Sequence, residues 1–135
     1  RKDIFNVNAF GQRLALRALT CHSDFSRYRD EAVHCRSILI ERLRERQFHV
    51  RKPGGNYVFA EHNQFSGSYL QEQLLLRDVA VRRFPGHRTD NFLRVTVPPL
   101  SGIDRLMACL DEILSVSKKQ LQVCCTAKMK DDGDK

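Results

Sequence analysis

The amino-acid sequence predicts an α+β domain, a small and mostly antiparallel sheet covered by helices, on a chain of 135 residues. Three observations predict it. Apolar residues recur with a helical period over residues 25–46 and again over 104–114. Between these segments lie short runs rich in aromatic and β-branched residues, punctuated by Pro and Gly. The runs come in pairs separated by a helix, and a chain this short accommodates helix, helix, strand, strand, helix, strand, strand, helix as two packed layers.

Each element has a local cause. Asn6 or Asn8 caps a first helix over residues 9–19, with Val7, Phe10, Leu14 and Ala18 on one stripe. Residues 22–24 break the chain, and Ser23 or Asp24 caps a long second helix over 25–46. Its apolar positions Phe25, Tyr28, Ala32, Cys35, Leu39 and Leu43 step by three or four, so one face is expected to be buried. Phe48-His49-Val50 is a short strand, ended by Pro53-Gly54-Gly55, where glycine accepts a turn freely. Residues 56–60 form a second strand. Ser66 or Ser68 starts a third helix that ends near Arg77. Strands are expected over 79–84 and 92–97, separated by a polar loop over 85–91, and Pro98-Pro99 stops the second. Ser101 and Asp104 resemble a capping box. Ile103, Leu106, Met107, Leu110, Ile113 and Leu114 then line one face of a last helix, whose pattern fades past Gln120.

Composition narrows the function. With 41% apolar and 29% charged residues the chain reads as globular. No apolar run reaches the roughly 20 residues of a membrane-spanning helix, so no membrane partner is expected. Arg1-Lys2-Asp3-Ile4 offers no signal-peptide h-region and no initiator Met, so a processed chain or a piece of something longer is expected. Five cysteines, Cys21, Cys35, Cys109, Cys124 and Cys125, show no zinc spacing and read as thiols in a reducing cytosol. The net charge of +7 raises the question of nucleic acid. The densest basic stretch, residues 42–52, is flanked by Glu41 and contains Glu45, which suits a solvated helix face better. Nucleic-acid binding is therefore disfavoured.

Little here could build an active site. No nucleotide-binding, nucleophile-elbow or zinc-protease motif occurs. His22, His34, His49, His62 and His87 are scattered and read as surface or interface residues. Arg94 stands apart. In its strand Leu93, Val95 and Val97 alternate and should face the helices, which turns Phe92, Arg94 and Thr96 to the other side. A planar guanidinium there suits a carboxylate or phosphate, or else forms a surface salt bridge.

Taken in order, these segments resemble the C-terminal small domain of a class I/II, fold type I aminotransferase, most like the histidinol-phosphate aminotransferase group. Phe5-Asn6-Val7-Asn8 and the helix after it are similar to that group's P-[YF]-N-V-N segment. Ile40-Glu41-Arg42-Leu43 ends a helix like its R-x-x-L-x-x-x-L helix. Phe48-His49-Val50 with Gly55-Asn56-Tyr57-Val58-Phe59 resembles its x-V-x-P-S-x-A-N-F-V strand pair. Val79-Ala80-Val81-Arg82 resembles its G-[IV]-x-V-R strand, Phe92-Leu93-Arg94-Val95-Thr96-Val97 its x-L-R-[IV]-T-V-G strand, and residues 104–114 its terminal helix. The match runs over residues 4–115.

The resemblance implies a cytoplasmic homodimeric transaminase that uses pyridoxal 5'-phosphate. It would move an amino group between glutamate/2-oxoglutarate and an amino-acid or amino-phosphate substrate such as histidinol phosphate. Arg94 would grip the substrate carboxylate. The implied catalytic and cofactor-binding residues, above all a Schiff-base lysine in an S-x-S-K segment, lie upstream and outside this chain, so the isolated chain is expected to be inactive. Residues 1–22 would connect domains, 23–120 would form the small domain, and 121–135 a polar, disordered tail. Pro98-Pro99 stands where the family has Gly and then Thr or Ser, and the 84–91 loop has no fixed family pattern. Two alternatives stay open: a fold type I relative such as a threonine-phosphate decarboxylase, and a free-standing basic nucleic-acid-binding module.

Overall fold

A computed structural model of the chain describes residues 7–51 and 54–131. The elements follow in the order α1 (Ala9–Thr20), α2 (His22–Glu45), β1 (Phe48–Val50), β2 (Tyr57–His62), α3 (Gly67–Leu75), β3 (Arg82–Arg83), β4 (Leu93–Thr96) and α4 (Leu100–Asp131). The four strands form one antiparallel sheet in the order β1-β2-β4-β3. The α+β architecture predicted from the sequence is the architecture found.

One apolar cluster joins the layers. Cys35, Leu39 and Leu43 of α2, Leu70 and Leu74 of α3, and Ile103, Leu106, Met107, Leu110 and Ile113 of α4 pack on Phe48, Val50, Val58, Ala60, Leu93 and Val95 of the sheet. Full burial of a side chain of this kind contributes about 1.5–3 kcal/mol. The strands alternate as a half-buried sheet requires: β2 buries Val58, Ala60 and His62 and turns Tyr57, Phe59 and Glu61 outward.

Several boundaries differ from the sequence reading, each for a visible reason. The break between α1 and α2 is Cys21 alone, with no side-chain cap on α2, so neither Ser23 nor Asp24 serves as cap. The cap of α1 is Asn8, whose side-chain oxygen accepts from the Gly11 N–H at 2.7 Å. Only the C-terminal half of the α2 stripe is buried. Phe25 and Tyr28 are exposed, as are Val7, Phe10 and Leu14 of the α1 segment, because the sheet and the other two helices lie under residues 35–43 only.

The predicted strand over 79–84 shrinks to Arg82–Arg83. The Val79 N–H donates to the Leu74 carbonyl at 2.9 Å, and the Gln71 side-chain amide donates to the Val81 carbonyl at 3.0 Å. Backbone groups a ladder would use are thus taken by α3. Asp78, at φ 58°, makes the turn that allows it. Asp104 lies inside α4 rather than at its start, and pairs with Arg42 of α2. The backbone of α4 is assigned helical from Leu100 to Asp131. Residues 132–135 lie outside the described residues.

Candidate anion-binding face

The sheet has a second face, turned away from the helices, and its register decides what meets there. Arg94 of β4 stands opposite Phe59 of β2 on one side and Arg82 of β3 on the other. The Arg51 N–H donates to the Phe59 carbonyl at 3.0 Å, which continues the row past the end of β1. Arg51, Phe59, Arg94 and Arg82 therefore form one lateral row, with neighbouring strands roughly 4.8 Å apart. Tyr57, Phe84 and Phe92 flank it.

Aromatic rings floor this face. Phe59 lies at its centre, with ring centroids 5.6 Å from Tyr57, 6.1 Å from Phe84 and 6.4 Å from Phe92. Phe92 is buried, yet it is not part of the helix-side core; the rings and Arg51 cover it. Each guanidinium of the row lies over a ring: Arg51 over Phe92 at 4.6 Å, Arg82 over Phe84 at 5.3 Å, and Arg94 over Tyr57 at 4.6 Å and near Phe84 at 5.9 Å. Such contacts hold a cation by the ring's negative face and leave its edge N–H groups available.

Among the described residues none of these three arginines forms an ion pair with an acid. Glu61, the outward-facing carboxylate of β2, pairs in register with His49 and makes no salt bridge with the row. The arginines around the helices behave otherwise. Arg46 makes a two-pronged contact with Asp111, at 2.7 Å from both Nε and Nη2, and Arg77 meets Glu112 at 3.2 Å. The hydrogen bond from Arg46 holds the Asp111 carboxyl below the ordinary carboxylate range, against a smaller opposing effect of burial.

Arg94 is thus where strand parity placed it: on the outer face, half-buried, with Leu93 and Val95 under the helices and Val97 partly so. Sequence reasoning missed Arg51 and Arg82 as neighbours of Arg94. The alternation of Phe48-His49-Val50 extended by one residue would turn Arg51 outward, but nothing local says that strands β1 and β3 flank the β2–β4 pair.

The histidines do not gather. His62, expected at the surface or an interface, is buried between Phe48 and Phe65, and its Nδ1 accepts from the Gln64 N–H at 3.0 Å. Among the described residues no group of acids, histidines and cysteines could hold a metal ion, and no helix is long and apolar enough to cross a membrane. Cys21, Cys35 and Cys109 are free thiols. Cys124 and Cys125 belong to the part of α4 whose side chains are not described.

The chain is similar in sequence to aminotransferases, and its fold is that of the small domain of fold type I aminotransferases. The relatives it matches are histidinol-phosphate aminotransferases: one from Clostridium beijerinckii, 35% identical over 121 residues, and one from Microcystis aeruginosa, 33% identical over 116, each covering 86% of this chain. The chain spans about a third of their length, 34% and 33%. Among solved structures, the histidinol-phosphate aminotransferase from Clostridium acetobutylicum superposes with a TM-score of 0.70 over 84% of this chain and 35% of its own, at 24% identity. A decarboxylase from Sulfurospirillum multivorans follows at a TM-score of 0.64 over 82% of this chain and 33% of its own, at 19% identity. At these identities the two likenesses bear on the fold. No family model matches the chain.

Proposed function

We propose that this chain is the substrate-holding domain of a pyridoxal-phosphate-dependent aminotransferase, and that Arg94 grips the substrate's α-carboxylate. One observation carries the reading: a guanidinium in mid-strand, fixed over Tyr57 on the outer sheet face, with no acid partner among the described residues. A rigid fork that no protein carboxylate neutralises is suited to a carboxylate arriving from outside. Arg82, one strand away, adds a second positive charge beside it. The names of the relatives support an amino-phosphate substrate such as histidinol phosphate. Glutamate/2-oxoglutarate as the other substrate pair and a homodimer as the working assembly are part of the proposal and follow from the family resemblance alone.

Pyridoxal phosphate would supply the electron sink of the reaction. No lysine side chain is among those described. The arginines of the outer face suit orientation of a carboxylate; the family resemblance assigns covalent attachment of the cofactor to a lysine in an S-x-S-K segment upstream of the one that Phe5-Asn6-Val7-Asn8 resembles, and residues 1–4 do not contain it. Orientation matters in its own right, since holding the reacting groups in line removes much of the entropic barrier.

The test uses the intact protein. Arg94→Ala should lower kcat/KM for amino-acid substrates roughly 10–100-fold, the worth of a charge-assisted contact. Arg94→Lys should not restore it, because an ammonium lacks the two-pronged geometry. The absorbance of bound cofactor should survive both changes. Unchanged kcat/KM in Arg94→Ala would sink the reading. Release of CO2 without amino transfer to 2-oxoglutarate would replace it with a decarboxylase.

A further inference from the structure

Beyond Arg94, the row holds a guanidinium that the proposed reaction does not yet use. Arg94 and Arg82 are register partners on adjacent strands, roughly 5 Å apart at the backbone, close enough to share one anion. Arg51 lies on the far side of Phe59, two strands or roughly 10 Å from Arg94 at the backbone. The rings Tyr57, Phe59 and Phe92 make a continuous run, with Arg94 over the first and Arg51 over the last. The two cations thus cap opposite ends of one aromatic strip. Arg51 is exposed, and no acid among the described residues pairs with it.

We propose that Arg51 is a specificity-determining residue of this site: it receives the distal negative group of ligands that carry two anionic groups held apart. The first anion binds at Arg94, and the carbon skeleton between the two lies over Phe59. This rests on the reading of Arg94 as the carboxylate-holding group. The geometry separates two jobs. A cation beside Arg94 strengthens the hold on any carboxylate, whereas one beyond Phe59 contributes only when a second charge reaches it. Selectivity for a dianion then comes from an otherwise unpaired charge, which rejects shorter or neutral-ended ligands by leaving Arg51 without an anion. Phe92 fixes the guanidinium beforehand, so little side-chain freedom is lost on binding.

The experiment titrates the 135-residue chain with glutarate, a five-carbon dicarboxylate, and with butyrate, its one-carboxylate counterpart, following arginine Nε–H and backbone resonances by NMR. Glutarate should bind roughly tenfold or more tightly than butyrate, the worth of one further charge-assisted contact. Arg51→Gln should remove that preference and leave butyrate unchanged, while Arg94→Ala should weaken both. Equal affinity of the two ligands for the unaltered chain, or absence of binding by either, overturns the proposal. So does a preference that survives Arg51→Gln while Arg94→Ala still weakens both ligands; in that outcome the carboxylate-holding reading of Arg94 stands. If instead Arg51→Gln acts and Arg94→Ala changes neither ligand, the reading of Arg94 fails, and with it the two-ended site. A single-stranded oligonucleotide that displaces glutarate at physiological salt and binds far more tightly would overturn the proposal in favour of a general polyanion surface.

Discussion

On the helix side of the molecule Arg42, Arg46 and Arg77 each reach a carboxylate of α4. On the outer side of the sheet Arg51, Arg82 and Arg94 each lie over an aromatic ring and, among the described residues, reach no acid. The same side chain thus has two uses. At the rim of the helices it ties α2 and α3 to α4, and exposed pairs of this sort contribute at most about 1 kcal/mol each. On the outer face it lies over an aromatic ring, pairs with no acid among the described residues and contributes little to holding the layers together. Stability resides on one side of the sheet, and the proposed recognition would take place on the other.

Stability measured by chemical denaturation can break this division or sharpen it. The largest loss should follow Leu39→Ala. Leu39 is fully buried where α2 meets the sheet, and such a truncation costs about 2–5 kcal/mol. A loss below about 1 kcal/mol would mean that the helix layer is not what holds the fold.

Gly67→Ala should come next, at about 1–3 kcal/mol. A Cβ at this first residue of α3 would lie 2.6 Å from the Asn91 carbonyl oxygen, so backbone must move. Asn91 directly precedes Phe92 and β4, and the shift should also appear in the resonances of Phe92 and Arg94. A silent Gly67→Ala would show that α3 does not position that strand.

Asp111→Asn tests the tie between α2 and α4. The Asp111 carboxyl is held below its ordinary range in the folded state, so its contribution is present above about pH 4. It is lost as the pH falls through the depressed folded value. Arg46 is pushed further upward and stays charged throughout. Because Asp111 is largely exposed, the variant should lose no more than about 1 kcal/mol at pH 7. The gap to the unaltered chain should close as the pH falls below the depressed folded value. A gap that persists there would mean the carboxylate charge is not its source.

The smallest change in stability should come from Arg94→Ala, within about 0.5 kcal/mol, as for a surface substitution. This is the sharpest form of the comparison, since the same change is expected to weaken anion binding most. If Arg94→Ala unfolded the chain as readily as Leu39→Ala, the outer face would be part of the structural core and the division would fail.

Periodicity made much of this legible in advance. The three- and four-residue steps through Cys35, Leu39 and Leu43, and from Ile103 to Ile113, announced the two helices that carry most of the core. Strand parity at Leu93-Arg94-Val95 put Arg94 on the outer face, because the alternate apolar positions Leu93 and Val95 must share the buried side. Where the same pattern misled, an element lacked a neighbour or found a different one. The stripe of Phe10 and Leu14 is regular but exposed, and residues 79–81 spend their hydrogen bonds on α3.

The sequence by itself determined where the main helices lie and which way the residues of β2 and β4 point, since these follow from spacing within a few residues. Only the tertiary structure decided that Arg51, Phe59, Arg94 and Arg82 share one row. They are separated by up to 43 positions, 94 less 51, and no local rule couples them. Their meeting depends on the strand order β1-β2-β4-β3 and on the register of three pairings. Those are fixed by how Val50, Ala60, Leu93 and their neighbours fill one core, a packing of the whole chain that no single segment encodes.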